Sequence, residues 1–152
     1  MSMNVVAIRQ TLISHALSSG MFAQVSGHEP KSGPSNGLYG ALWVDEIGPA
    51  PARSGLVSTS TRLAFNFRVG TNMIAEPQDD IDVDVLVAVC FLMGAYSGDF
   101  MLGEEVANVD LLGAHGTPLS ARAGYLNQDG RLYRVMVISI PLIVNDVFDQ
   151  VP

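Results

Sequence analysis

The stretch that decides the fold is Ala121–Val144, ARAGYLNQDGRLYRVMVISIPLIV. Two β-rich runs flank Asn127-Gln128-Asp129-Gly130, and an Asp-Gly step supplies the positive φ that a tight hairpin turn needs. The segment is a long antiparallel hairpin. Alternation places Leu132, Met136, Ile138 and Ile140 on a core face, and Tyr133, Val135 and Val137 on the opposite one. A strand apolar on both faces requires a cover on each. Helices are expected over one face, and a loop or a neighbouring subunit over the other. Tyr133, Val135 and Val137 are therefore candidate subunit-interface residues.

Upstream, Ser58–Thr71 is the cleanest strand: Leu63, Phe65, Phe67 and Val69 alternate with Arg62, Ala64, Asn66 and Arg68. The first set belongs to the core, and Arg62 and Arg68 to a solvated or intersubunit face. Leu38–Ile47 (LYGALWVDEI) is a further strand, closed by Gly48-Pro49-Ala50-Pro51 and a loop through Gly55. Glu104–Leu112 is predicted as another, before the turn-rich Gly113–Pro118.

Two segments carry helical spacing. In Met3–Ser19, Val5, Ile8, Leu12 and Ala16 form a stripe widened by Val6, Ile13 and Leu17, and Gly20 stops it. Met21 and Phe22 then turn back toward the core, and Gly27–Gly37 (GHEPKSGPSNG) is a surface loop able to order on a partner. Asp79–Ser97 alternates at Ile81, Val83, Val85, Val87 and Val89, yet Leu86, Val89, Met93 and Tyr96 fit a helix, and its length decides for the helix. Glu76, Pro77, Asp79, Asp80 and Asp82 suit its amino terminus, and Gly94, Ser97 and Gly98 its end. Because it is apolar nearly all round, it should be buried on more than one side. The order α-β-β-α-β-β-β predicts an α+β fold in one domain, 1–152, with two helices and a mainly antiparallel sheet of about four to five strands.

Composition points to assembly. Hydrophobic residues make up 48% of the 152 residues and charged ones only 15%, against roughly a quarter in ordinary soluble domains. Fewer charges leave more apolar surface for partner subunits. The formal charge of −7 disfavours a grip on nucleic acid phosphates. Cys90, the single cysteine, lies in an apolar run and reads as a small buried hydrophobe in a reducing compartment. Neither a targeting signal nor a membrane span is expected, since the run Val85–Met93 is far short of the ~20 residues that cross a bilayer.

Catalytic patterns fail on spacing. Asp80-Ile81-Asp82-Val83-Asp84 has Val85 where a calcium loop needs Gly and Phe91 where it needs Glu, so it is a helix start. His15, His28 and His115 are too scattered to share a metal by motif. His15 is expected in a polar structural role. The glycines form no phosphate cradle, and Ser35, Ser58 and Ser120 sit in no nucleophile elbow. No enzyme activity, metal or cofactor is expected.

Several stretches together are similar to the tail terminator proteins of long-tailed (siphovirus-type) bacteriophages, particularly those infecting actinobacteria. They are Asn4–Phe22 (NVVAIRQTLISHALSSGMF), Ala41–Ile47 (ALWVDEI), Tyr96–Phe100 (YSGDF), Val109–Tyr125 (VDLLGAHGTPLSARAGY) and Asp129–Asp146. The resemblance implies a non-catalytic virion protein, assembled in the host cytoplasm. It implies a homo-hexameric ring at the head-proximal end of the tail, ending tube polymerisation and joining the major tail tube protein to the head-tail connector. Six copies would carry a formal charge of about −42, and acidic groups facing the lumen would let DNA pass without specific binding. Asp45, Glu46, Asp79 and Asp80 are the candidates for that lining. Another neck or tail subunit (connector, head-closure or tube protein) is the alternative, and a small cytosolic ligand-binding domain a more distant one.

Overall fold

The computed structural model describes residues 3–31, 37–50, 58–74 and 78–149. The first helix, α1 (Val5–Ser18), is capped by Asn4, whose side-chain oxygen accepts from the Ala7 amide at 3.1 Å. This cap satisfies one of the donors a helix start leaves free. Ile8, Leu12 and Ala16 form its buried stripe. Strands β1 (Gln24–Ser26), β2 (Tyr39–Pro49) and β3 (Ser58–Asn72) follow, then a single 3-10 turn at Gln78–Asp80 and helix α2 (Ile81–Gly98). The chain closes with β4 (Asn108–Val109), β5 (Ser120–Gln128) and β6 (Arg131–Asp149). Glu76 and Pro77, expected at the start of α2, lie outside the described residues, as does much of the Gly27–Gly37 loop and the second loop through Gly55.

Among the described residues, six strands form one sheet, in the order β1-β2-β3-β6-β4, with β5 also paired to β6. Only β1 on β2 is parallel. The α+β reading with two helices and a mainly antiparallel sheet is therefore correct, with two very short strands, β1 and β4, at its margins. The hairpin register is closed by Gln128 opposite Arg131, with Asp129 at φ 53° and Gly130 at φ 73°. Two successive positive φ values match the right-handed twist of the flanking strands. Strand β6 then runs beyond Val144 to pair Phe148 with Thr59.

One expected strand is largely absent. Of Glu104–Leu112 only Asn108–Val109 pairs, because the chain turns repeatedly from Phe100 to Ala107, with Leu102 at φ 45° and Glu104 at φ 76°. Left-handed residues break the pleat that a strand requires. Strand β2 also outruns expectation, passing through Gly48 and Pro49, where β3 pairs one side and Pro49 opposes Thr61. A proline is tolerated where no ladder partner needs its missing N–H.

Both helices lie on one face of the sheet, α2 against β3 and β6 and α1 against α2 and β1. Between the layers, Ile8, Leu12, Val85, Val89, Leu92 and Tyr96 meet Phe65, Phe67, Val69, Ile138, Ile140 and Leu142. Each large side chain buried there contributes about 1.5–3 kcal/mol. Ile138 and Ile140 hold their predicted places, while Leu132, next to the turn, is exposed and Met136 half-buried. The opposite face carries a second cluster of Tyr39, Tyr133 and Val135, with Leu126 against it. Tyr39 reaches Tyr133 by crossing Gly70, where a Cβ would meet the Tyr39 ring at 2.6 Å. The rings then meet edge to face at 6.0 Å. Glycine in mid-strand is thus the condition for this cluster.

Candidate functional site

The least satisfied surface is the outer face of α2. Its period sends Ile81, Val85, Ala88, Val89, Leu92 and Tyr96 into the core and leaves Val83, Leu86, Val87, Cys90 and Phe91 outside. Val83, Leu86 and Val87 are about half exposed, and Phe100 and Met101 extend the apolar surface past the helix end. Within the chain, α2 is therefore buried on one side only. Cys90, read from sequence as buried, is exposed, because it lies one residue, and so about 100° round the helix, past the buried Val89. The 21 residues Gln78–Gly98 are long and apolar enough to cross a membrane by length and composition, but one face of this helix is built into the core. A contiguous apolar ridge of this kind marks an interaction surface.

A concave counterpart lies at the β2 edge. Strand β2 bulges at Asp45, so Val44 faces Phe65 but Glu46 faces Ala64. On either side of the bulge β2 lies open, with Val44 57% and Ile47 54% exposed. With Met3, Val5, Leu42, Leu63 and Phe65 they line a groove of about 510 Å³. Its rim carries Arg9, His28 and Glu29. Arg9 donates to the Gly27 carbonyl at 2.9 Å and so holds the segment after β1 against α1. A shallower cavity of about 310 Å³ next to it adds Pro49, Thr59 and the exposed Phe148.

The residues assigned from sequence to a subunit contact sit deeper than expected. Arg62 and Arg68 are 8% and 6% exposed, so the solvated face read from alternation is covered by the chain itself. Arg62 donates to the Thr117 carbonyl at 3.2 Å beneath the 113–117 turn, with Glu46 at 3.9 Å. Arg68 lies over the Trp43 ring at 5.2 Å, with Glu29 at 4.0 Å. That turn is anchored by buried Asp110, which accepts from the Ala114 and His115 amides. Tyr133 and Val135 are covered by Tyr39 and Leu126, and Val137 is half-buried. The cover of Tyr133 and Val135 is intramolecular, and α2 and the β2 edge are two of the places where large apolar side chains stay open.

All four acidic candidates are exposed. Asp45 and Glu46 occupy the β2 bulge, whereas Asp79 and Asp80 precede α2. Eight residues of β3 separate the Glu46 partner, Ala64, from Asn72 at the strand's end, roughly 26 Å at about 3.3 Å per residue. The fold does not gather them into one cluster.

Remaining polar groups are structural. His15 Nε2 and Asp99 Oδ2 are 2.9 Å apart, and the His15 ring stands edge-on to Tyr96 at 5.6 Å. The hydrogen bond to His15 holds the Asp99 carboxyl below its usual range, against a smaller opposing effect of burial. Tyr96 donates to the Leu12 carbonyl at 2.9 Å, and burial pushes its hydroxyl pKa far upward. Burial likewise raises that of Tyr39, with Arg68 opposing. His115 lies in the 113–117 turn and His28 on the groove rim. Among the described residues no group of three or more His, Cys, Asp or Glu could hold a metal ion.

No protein-family model matches the chain, and no curated protein matches it. Among solved structures it is similar to the sheath/tube terminator of an extracellular contractile injection system (PVC), determined by cryo-EM in the extended state. The match covers 99% of this chain and 59% of that one, at 9% identity and a TM-score of 0.40. The chain thus spans less than two thirds of that protein's length.

Proposed function

We propose that this chain is a structural subunit of a bacteriophage tail that closes into a homo-hexameric ring at the head-proximal end of the tail tube. There it ends tube polymerisation and joins the tail to the head connector. The observation that carries the assembly part is the outer face of α2, a ridge of large apolar side chains left open by a chain with few charges to spare. A single chain pays for such a surface in solubility unless a partner covers it. The position in the tail is drawn from the resemblance of Asn4–Phe22, Ala41–Ile47 and Val109–Tyr125 to tail terminators.

In this reading Asp45, Glu46, Asp79 and Asp80 contribute negative potential toward the lumen, at two separate heights, which keeps passing DNA from adhering. Sedimentation and native mass spectrometry of the purified chain, alone and with tail tubes, test the reading. A hexamer in either condition supports it. A chain that remains monomeric in both opposes it, and long stacked tubes of this chain would identify a tube subunit instead.

A further inference from the structure

We propose that the groove at the β2 edge seats the α2 ridge of a second copy of this chain, so that copies join head to tail. The proposal rests on the assembly reading above and names its contact.

Shape and chemistry agree. The ridge presents Leu86, Val87 and Phe91 on a convex helix surface, and the groove is a concavity of about 510 Å³ walled by Val5, Val44, Ile47 and Phe65. The open parts of the ridge side chains come to on the order of 300–400 Å², suited to the apolar centre of an interface burying about 800 Å² per partner. Charge agrees as well. The ridge begins with exposed Asp84, next to an Asp82 that is held by Arg134 at 2.8 Å, while the groove rim carries exposed Arg9. Glu29, the acidic residue on that rim, is directed to Arg68 at 4.0 Å. Two ridges packed on each other around a two-fold axis would leave both grooves empty and could bring the acidic ends of α2 together.

Placement completes the argument. Helix α2 stands over β3 and β6, the groove opens at the β2 edge, and α1 contributes the groove wall between them. Ridge and groove are different patches of one surface, so their contact is heterologous: each copy uses its ridge on one neighbour and its groove on the other. Such contacts close into rings when the rotation permits and extend into filaments when it does not.

The test uses two variants of the full chain, each disabling one patch at an exposed side chain: Phe91→Asp on the ridge and Ile47→Asp in the groove. Circular dichroism melts first establish that both fold. Sedimentation and native mass spectrometry are then run from micromolar to millimolar chain. Wild type is expected to form higher oligomers and each variant alone to stay monomeric. A one-to-one mixture should form heterodimers and nothing larger, because it retains a single intact ridge and a single intact groove per pair. Higher oligomers from either variant alone, or a mixture that stays monomeric, overturn the contact while leaving the ring reading in place. A two-fold wild-type dimer, shown by Cys90 to Cys90 cross-linking with a short bismaleimide, overturns it in favour of ridge on ridge. Wild type that stays monomeric but binds neutral phosphatidylcholine vesicles, with binding lost in Phe91→Asp, overturns it in favour of a lipid partner. Wild type monomeric throughout and indifferent to vesicles also overturns it, and the ring reading is then judged on particles.

Discussion

Gly70→Ala is the sharpest test of how the sheet's second face is built. A Cβ at this position would lie 2.6 Å from Tyr39 Cε1 and 2.8 Å from the ring's hydroxyl oxygen, well inside contact distance. The ring is 2% exposed and the strand beneath it is fixed by pairing on both sides, so neither can yield freely. Forcing a methyl group into a packed site costs about 1–3 kcal/mol. Displacing Tyr39 also forfeits its edge contact with Tyr133, worth about 0.5–1.5 kcal/mol beyond buried area. We expect a loss of about 2–4 kcal/mol, read by urea denaturation at one fixed protein concentration. The decisive control is the same substitution in a Tyr39→Ala background. With the ring gone, the three nearest contacts of the added methyl go with it, and Gly→Ala in a strand becomes neutral or favourable by about 0.5 kcal/mol. The coupling in this double-mutant cycle should therefore exceed about 2 kcal/mol. An equal effect of Gly70→Ala in both backgrounds would refute the account of the Tyr39, Gly70 and Tyr133 stack.

Three further outcomes follow from side-chain contacts. The Asp99 pKa is lowered on folding, so the folded state binds fewer protons there, and its stabilisation is full above the usual carboxylate range and lost as pH falls through the depressed value. Asp99→Asn should remove about 1 kcal/mol at neutral pH, screened by partial exposure, and flatten the loss of stability on acidification, as chemical denaturation at several pH values will show. Tyr96→Phe deletes the hydroxyl that donates to Leu12 at 2.9 Å and should cost about 1 kcal/mol in urea, with no change in oligomeric state. Asp110→Ala frees two amides of the 113–117 turn and should cost about 2–3 kcal/mol, with faster amide exchange at Ala114 and His115.

What could be seen in the chain beforehand follows the range of the forces involved. Local signals were legible: the Asp-Gly turn, the alternation of Leu63 to Val69, and the 3.6-residue stripe of α1 each depend on neighbours within a few residues. The burial of Arg62 and Arg68 was not, because their cover comes from Thr117 and from Trp43 and Glu29, on other segments of the sheet and its loops. The tyrosine stack was hidden for the same reason, since Gly70 acquires its meaning only once β2 registers Tyr39 against it. Helix α2 shows a different limit. Its sequence displays apolar residues all round, but how many of its sides are covered depends on what else is present, and a single chain covers one. The groove has no signature in the sequence because a bulge at Asp45 interrupts the alternation that would otherwise relate Val44 and Ile47.

The most direct measurement of the central claim is cryo-electron microscopy of intact particles with this chain tagged at its carboxyl terminus. One ring of six tagged copies is expected where the tail tube meets the head connector, with α2 covered by the adjacent copy. Tagged density repeated along the tube, confined to another part of the particle, or absent from it altogether would contradict it.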